Sequence, residues 1–299
     1  MARRRKALTA FNAADLPTGE EEEWRYSRIA DIDLDRFAPA DPNRDDALPD
    51  ELKPVLDAIG DRAALAVIND GRLIHVEIDE ARLSGSLTIE AAEESAGRGW
   101  SEPRDAFGRL HDAFVPEVVR VSVAKGAVVS GPIVLLQWTS SPGIASFGHV
   151  VIDVGEQAEA SVVSYSGSAG GGALSVPVVE VDLSAASNLR FVSVQDLATD
   201  TWQLADLITR TGRDATLKAY LVALGGDYAR TWLDVSLPAQ GASAQIAAVY
   251  FGDGHQMHDF RSVQLHDGPR AASDFLLKGA VADEARGVYT GVIRVEKGA

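Results

Sequence analysis

Hydrophobic and polar residues alternate along most of the chain after about Val118, in short runs rich in Val, Leu and Ile that Gly, Ser, Asp and Ala separate. Such alternation is typical of β-strands with one buried face. Five segments share one form: a turn, a small residue and then an alternating strand. Aligned on the small residue, they repeat at steps of 27, 28, 27 and 29 residues, and the aligned residues are Ala160, Ser187, Ala215, Ala242 and Ala271.

A nearly constant step in an all-β region fits two architectures, a sandwich with regular hairpins or a β-solenoid whose coils stack on one another. The spacing holds over four steps, and small residues recur at the same place in each. Small residues are expected at the corners of solenoid coils, so this regularity favours the solenoid over the sandwich. We therefore predict a mainly β fold with a β-solenoid core over residues 118–299.

The first 117 residues have a mixed α/β pattern. Residues 4–17 and 19–37 show helix-like spacing of apolar positions, and the acidic run Glu20–Glu23 suits the first turn of a helix. Residues 64–78 read as two alternating strands around the turn Asn69-Asp70-Gly71. We predict that residues 1–117 form a mixed region preceding the solenoid.

The last residues, ARGVYTGVIRVEKGA, have a strand pattern that runs to the end of the sequence. Natural solenoids normally cap their terminal coil, because an open coil exposes sheet edges and core. We therefore expect either that the sequence is part of a longer chain or that another element covers this coil.

Composition narrows the classes of function. A formal net charge of −16 argues against nucleic-acid binding, which depends on clustered Lys and Arg. The absence of cysteine excludes disulfides, thiolate catalysis and thiolate metal ligation by this chain alone. No apolar run approaches the roughly 20 residues of a membrane span, and no apolar signal core follows the basic start MARRRKALTAF. We expect a cytoplasmic protein without membrane partners.

Three histidines, His255, His258 and His266, are the candidate metal ligands. Residues three apart share a face on a helix, but an odd separation places them on opposite faces of a strand. The surrounding sequence has a strand, turn and strand pattern, so we interpret these histidines as turn or strand residues. The Gly-rich stretch 166–175 lacks the end of a phosphate-binding loop, and no Gly-x-Ser-x-Gly motif occurs. The residues therefore predict a scaffold without a catalytic set.

Three stretches resemble the SufB/SufD family of iron–sulfur cluster assembly proteins. EEEEWRYSRI resembles a signature near the start of the family's SufD members, HDFRSVQLH resembles an Asp-x-Arg-(Ser/Thr)-x-x-x-His segment, and SDFLLKGAVADEARGVYTGVIRV resembles a later Lys-Gly…Gly-x-Ile-x-Val segment. The matching residues, to which we assign structural or interface roles, are Trp24, Arg25, Tyr26, Asp259, Arg261, His266, Lys278, Gly279 and Gly291.

The resemblance implies a right-handed parallel β-helix and a non-catalytic scaffold subunit. It implies two partners, a SufB-like subunit and a SufC-like ABC-type ATPase that binds ATP, with a homodimer as a further possibility in isolation. It also implies that the iron–sulfur cluster belongs to the assembled complex, and that this chain alone binds no cofactor. The family continues into a C-terminal helical domain that docks the ATPase, and this sequence stops before it. The SufD-like assignment rests on the EEWRY start and the lack of cysteine.

Two other classes of function stay open on the sequence alone. One is a β-solenoid enzyme acting on carbohydrate, which needs two carboxylates facing one cleft. The other is a stand-alone binding module with a metal at His255, His258 and His266.

Overall fold

The computed structural model describes residues 2–41, 50–92, 101–140 and 142–299. Within these ranges, the α-helices are α1 (Ala2–Asn12), α2 (Lys53–Ile59) and α3 (Ala106–Phe114), and short 3-10 helices cover Glu22–Trp24, Ile29–Asp31, Leu34–Arg36, Asp50–Leu52 and Glu80–Arg82. The strands are β1 (Ala38–Pro39), β2 (Ala64–Asn69), β3 (Arg72–Ile78), β4 (Leu83–Ser84), β5 (Leu87–Ala92), β6 (Val118–Val123), β7 (Val128–Thr139), β8 (Ile144–Ser146), β9 (His149–Val154), β10 (Glu159–Ser168), β11 (Ala173–Ser175), β12 (Val178–Leu183), β13 (Asn188–Asp196), β14 (Thr201–Thr211), β15 (Thr216–Ala223), β16 (Tyr228–Leu237), β17 (Ser243–Gly252), β18 (Met257–His266), β19 (Ala272–Val281) and β20 (Arg286–Val295).

The strands form two long sheets that face each other across an apolar interior. Sheet A runs through β5, β6, β9, β12, β14, β16, β18 and β20, and sheet B runs through β3, β2, β7, β10, β13, β15, β17 and β19. From β9 onward along sheet A and from β7 onward along sheet B, neighbouring strands pair in parallel. Successive strands thus alternate between the sheets, which is the winding of a β-solenoid. The predicted fold class is confirmed.

One corner of every coil is built in the same way. A residue with a left-handed φ is followed by Ala or Ser, and the left-handed residues are Gly126, Gln157, Ala186, Asp214, Gly241 and Arg270. At each of the first five corners the Ala or Ser that follows is buried. The chain turns tightly there and leaves no room for a longer side chain. The recurring small residues of the sequence are therefore corner residues.

The predicted alignment was wrong at one coil. Ala160 pairs with Leu189, and the residue equivalent to Ser187 is Ala158, whose carbonyl accepts from the backbone N–H of Asn188. The step to Ser187 is therefore 29 residues rather than 27. The left-handed residue of this corner is Gln157, with φ of 61°, and its residue type does not mark a turn in the sequence.

The N-terminal region extends both sheets. β2 pairs in parallel with β7, and β5 pairs antiparallel with β6. β2 and β3 form the predicted hairpin, with Asp70 and Gly71 in left-handed conformations at the turn. The division of the chain at residue 117 stays a prediction.

The helix predicted over residues 19–37 is wrong. This segment contains three separate 3-10 turns, and the chain between them is extended at Arg25 and Ile32. The residues of this segment make their main contacts with the solenoid, so an amphipathic spacing of apolar residues arises without a continuous helix. The helix predicted over residues 4–17 is confirmed in part, because α1 ends at Asn12. No helix in the described ranges is long and apolar enough to cross a membrane.

Candidate functional site

The N-terminal signature segment lies on the outer face of sheet A. Trp24 is 2% exposed and packs in a cluster with Phe107 of α3 and with Trp202, Tyr228 and Met257 of three neighbouring strands. Trp202 pairs with Tyr228, and Tyr228 pairs with Met257. Because parallel strands stack equivalent positions above one another, these three side chains form a continuous apolar surface for the indole ring.

A buried carboxylate organises the charged groups beside this surface. Asp259 lies between two arginines, with Arg230 Nη1 at 3.1 Å from Oδ2 and Arg261 Nε at 2.7 Å from Oδ1. The hydroxyl of Tyr228 also donates to Oδ2, at 2.9 Å. Burial raises the pKa of Tyr228, as does the neighbouring Asp259, so the phenol keeps its proton and stays a donor. The carboxylate therefore holds both guanidinium groups in fixed orientations.

The remaining donors of the two arginines hold the signature segment. Arg230 Nη2 donates to the carbonyl of Glu23 at 2.7 Å, and Arg261 Nη2 donates to the carbonyl of Arg25 at 2.7 Å. The Arg230 guanidinium also stacks 3.7 Å from the centroid of the Trp24 ring. We call the set Trp24, Tyr228, Arg230, Asp259 and Arg261 the clamp. It brings together two of the motifs that carry the family resemblance, although more than 200 residues separate them in sequence.

Within the signature, Trp24 is buried and its two neighbours are exposed. Trp24–Ser27 is a β-turn closed by a 3.1 Å bond from the Ser27 N–H to the Trp24 carbonyl, with Tyr26 at φ 67°. This left-handed position of a type II turn usually holds glycine. Arg25 is exposed, and Tyr26 is 74% exposed. The turn therefore directs Trp24 into the clamp and presents Tyr26 to solvent.

Arg28 adds a second fastening that the sequence did not reveal. Its guanidinium pairs with Asp227 at 2.7 Å and with Asp31 at 3.2 Å. Asp227 also accepts from the indole N–H of Trp202 at 3.0 Å. Arg28 thereby ties the end of the signature to the turn before β16.

The glycines of the third motif make room for aromatic rings. A methyl group at Gly279 would overlap the ring of Tyr250, and one at Gly291 would overlap the hydroxyl of Tyr289. Tyr289 in turn stacks on Phe275, with ring centroids 5.2 Å apart. Lys278 is exposed on the outer face of β19. These glycines therefore fit a packing role in the last two coils.

The three histidines occupy different environments. His255 lies on a turn and pairs with Glu284 at 3.1 Å. His258 is buried, with Nε2 at 3.1 Å from the Phe251 carbonyl, and burial lowers its pKa. His266 contacts the hydroxyl of Ser273 at 2.8 Å.

The geometry of β18 separates two of these histidines. His258 and His266 lie eight residues apart in one extended strand, a separation of about 26 Å at the usual rise, so one ion cannot bind both. Within the described ranges, no group of three or more His, Asp or Glu is arranged to hold a metal.

A second buried polar cluster fastens α3 to sheet A. Glu180 accepts from the backbone N–H of Ser101 at 3.2 Å and from its hydroxyl. His149 Nε2 lies 3.7 Å from Glu180, an ion-pair distance, and His149 Nδ1 lies 3.2 Å from Nε2 of His111. His111 Nδ1 donates to the Val176 carbonyl at 2.8 Å. Burial alone would raise the pKa of Glu180, but His149 and Ser101 outweigh it and lower the pKa to about 2.

No pattern in the sequence indicates this second cluster. Glu180 alternates with the inward-facing Val179 and Val181, and this pattern normally indicates a solvent-exposed position. Glu180 is nevertheless buried, because α3 and Ser101, which lies 79 residues earlier in the chain, cover it. Both clusters therefore connect the N-terminal third of the chain to sheet A through buried polar contacts.

These features define a β-solenoid protein whose N-terminal segment is fastened to the outer side of its last coils. The family model described as the SUF system FeS cluster assembly SufBD core domain matches residues 137–299, more than half of the chain. The chain therefore belongs to the SufBD family of iron–sulfur cluster assembly proteins.

Relatives with the same family description come from mycobacteria. An iron–sulfur cluster assembly SufBD family protein of Mycobacterium tuberculosis H37Rv is 29% identical over 223 residues, which is 70% of this chain and 55% of that protein. The Mycobacterium bovis protein gives the same figures. The Mycobacterium leprae protein is 24% identical over 270 residues, 90% of this chain and 61% of that protein. The chain thus matches little more than half the length of these relatives.

Proposed function

We propose that this chain is a SufD-like, non-enzymatic scaffold subunit of a SUF-type iron–sulfur cluster assembly complex. In this proposal it pairs with a SufB-like subunit that holds the nascent cluster and with a SufC-like ABC-type ATPase that hydrolyses ATP. The complex acts in the cytoplasm. The iron–sulfur cluster is the cargo of the complex, and this chain contributes a structural surface rather than cluster ligands.

The observation that carries the proposal is the combination of family membership with the lack of cysteine. Clusters are held mainly by cysteine thiolates, and the sequence contains none. This stretch of 299 residues offers no thiolate, which fits a partner subunit better than a cluster-holding subunit. The EEWRY-type start is a second observation that supports the SufD-like assignment.

The clamp supports a role as a rigid wall. It fastens the N-terminal segment to β16 and β18 through two buried arginines, and Arg261 extends the contact to Thr290 of β20 at 2.7 Å. A wall that places a partner's ligands must hold its shape, because small displacements change ligand geometry. Hydrolysis by the ATPase would then shift the arrangement of rigid subunits relative to one another.

A co-expression pull-down tests the proposal. The tagged 299-residue chain is expressed with the host's SufB-like and SufC-like proteins, beside a version that carries the family's C-terminal helical domain and beside the tag alone. We expect the longer version to capture both partners and the 299-residue chain to capture the SufB-like protein without the ATPase. If neither version captures either protein above the tag control, the proposed scaffold role is wrong.

A further inference from the structure

Two buried histidines lie between α3 and the outer face of sheet A. His111 of α3 and His149 of β9 are both 0% exposed, and their ring centroids lie 5.2 Å apart. The ring of Phe147 packs edge-on against His111, with centroids 6.3 Å apart. The two histidines form a chain of polar contacts that ends at both sides on oxygen atoms that accept hydrogen bonds. This chain determines how many protons the two rings carry.

A backbone carbonyl sets the direction of hydrogen bonding at one end. His111 Nδ1 lies 2.8 Å from the Val176 carbonyl. Because a carbonyl can only accept, Nδ1 of His111 carries a hydrogen. His111 Nε2 lies 3.2 Å from His149 Nδ1. One of these two nitrogens must carry a second hydrogen, since two bare nitrogens would direct their lone pairs at each other.

A carboxylate lies at the other end of the chain. His149 Nε2 lies 3.7 Å from Glu180 Oε1, and the same oxygen accepts from the N–H and the hydroxyl of Ser101. Burial raises the pKa of Glu180, but His149 and Ser101 lower it to about 2, so the carboxyl is an anion at neutral pH. A bare Nε2 would direct its lone pair at this buried anion. A third hydrogen is therefore needed on Nε2 of His149.

The number of ring hydrogens exceeds what neutral rings supply. The contacts require three, and two neutral imidazoles carry only two. The third makes the histidine pair a cation with one positive charge, which the negative charge of Glu180 balances. The cluster as a whole is then neutral, and a buried charge is tolerated when it is paired and hydrogen-bonded in this way.

The other charged side chains around this cluster have partners of their own or face other spaces. Arg120 of β6 pairs with Asp153, and Arg210 of β14, which also attracts Glu180, pairs with Asp182. On the side of α3, the charged residues line the cavity between α1 and α3, pair with β16 or cap the helix; they are Glu102, Arg109, Asp112, Arg104 and Asp105. Among the described residues, Glu180 is therefore the carboxylate that contacts the histidine pair.

We propose that His111 and His149 together bind one proton beyond their neutral forms, and that loss of this proton loosens α3 and residues 101–105 from sheet A. With the proton, all contacts of the chain are satisfied. Without it, Glu180 is a buried anion beside a lone pair, which is costly. Movement of α3 admits water to the carboxylate, so the proton stabilises the closed form at neutral pH and a rise in pH favours opening.

Opening of α3 also affects the clamp. Phe107 of α3 packs against Trp24, with ring centroids 5.7 Å apart. Loosening of the helix therefore removes one of the surfaces that hold the signature segment on sheet A. The histidine pair thus links the concentration of protons to the fastening of the N-terminal region.

Nitrogen-15 NMR of the histidine rings in the full chain counts these protons. At about pH 7.5 an ordinary histidine is roughly 10% charged, whereas we expect the His111–His149 pair to carry most of one charge. His258 is an internal reference, because burial lowers its pKa and it should be neutral. One bare nitrogen on each ring of the pair at this pH would overturn the proposal.

A carboxylate variant tests the source of the charge. Glu180→Gln keeps the shape of the side chain and removes the balancing charge, so the pair should become neutral at about pH 7.5. The matched control is Glu284→Gln, which removes the carboxylate of an exposed pair with His255, 3.1 Å away, and should leave the charge in place. A charge that survives Glu180→Gln, or that disappears in the control, contradicts the proposal.

Hydrogen exchange in residues 104–112, corrected for intrinsic rates, tests the loosening. If the closed form binds the proton about tenfold more tightly than the open form, the opening equilibrium constant rises roughly tenfold between about pH 6 and about pH 9. We expect this rise in the wild type and its absence in Glu180→Gln. Should that variant not fold, the wild type alone decides: a neutral pair at about pH 7.5, or opening that does not depend on pH, would refute the switch.

Discussion

The two sheets of the solenoid have similar inner faces and different outer faces. On the outer face of sheet A, Trp202 and Tyr228 are buried beneath the signature segment, whose Trp24 packs with them and with Phe107 of α3. On sheet B, α2 packs on the part formed by β2 and β7, with Tyr165 of β10 at its edge. Farther along sheet B, Tyr220, Phe251 and Leu276 are 43%, 54% and 51% exposed.

This difference shows that the contribution of an outward-facing side chain to stability depends on whether another part of the chain covers it. Trp232 and Tyr220 both occupy outward positions in parallel strands of similar length. Trp232 stacks on the guanidinium of Arg104, which lies 3.8 Å from the ring centroid, and its indole N–H donates to Asp234 at 2.9 Å, whereas Tyr220 faces solvent. Substitutions on the two outer faces should therefore change the free energy of unfolding by very different amounts.

The largest effect is expected from Asp259→Ala on sheet A. It leaves Arg230 and Arg261 buried without their carboxylate, which typically costs about 3–5 kcal/mol. Urea unfolding measures the loss. Asp274→Ala, which removes an exposed aspartate from the outer face of sheet B, is the control and should stay within about 0.5 kcal/mol of wild type. Equal losses in the two variants would refute the contrast between the faces.

The next largest effect is expected from Trp24→Ala, which empties the aromatic surface of the clamp. Removal of a buried tryptophan costs about 3 kcal/mol where the surrounding structure can relax into the cavity. The neighbouring Tyr26→Ala removes an exposed ring and should change the free energy of unfolding by no more than about 0.5 kcal/mol. Thermal unfolding of both variants checks this pair, and a larger loss for Tyr26→Ala would contradict the described turn.

A smaller and pH-dependent effect is expected at Glu180. Its pKa is lowered from 4.5 to about 2, so its stabilising contribution is present above the unfolded pKa and is lost as the pH falls toward 2. Between about pH 6 and about pH 3 the wild type should lose about 2 kcal/mol through this group. Glu180→Gln should lack that part of the acid loss. Denaturant unfolding at both pH values measures it, and parallel acid profiles would disprove the assignment.

The smallest effect is expected from Tyr220→Thr on sheet B. Threonine, like tyrosine, has a high preference for β-strands, and the tyrosine ring that it replaces is exposed. The free energy of unfolding should therefore change by about 0.5 kcal/mol or less. Thermal unfolding checks this value. A loss comparable to that of Trp24→Ala would mean that this face is buried in solution.

The sequence predicted the features that depend on local periodicity. Alternation identified the strands, and recurring small residues identified the corners, because tight turns accept few residue types. Trp24 and Asp259 were singled out by motif, and the structure joins them in one clamp. The alignment failed at Ala158, where Gln157 occupies the left-handed corner position without resembling a turn residue.

The sequence could not predict which outward positions are buried. Glu180 follows the same alternation as the half-buried Asp182, and only the placement of α3 and Ser101 distinguishes the two positions. That placement depends on contacts between residues 79 to more than 200 positions apart. Periodicity carries no information about such pairs.

The clamp has a consequence for synthesis of the chain on the ribosome. Arg25 and Arg261 are 236 residues apart, which corresponds to roughly 10–50 s of translation at about 5–20 residues per second. For most of that interval Trp24 has been synthesised, while the surface that receives it, formed by β14, β16 and β18, is still incomplete. The four consecutive glutamates Glu20–Glu23 precede it, and such charges discourage association of an apolar segment with other chains. Docking of the signature therefore has to follow the synthesis of β18, which carries Asp259 and Arg261.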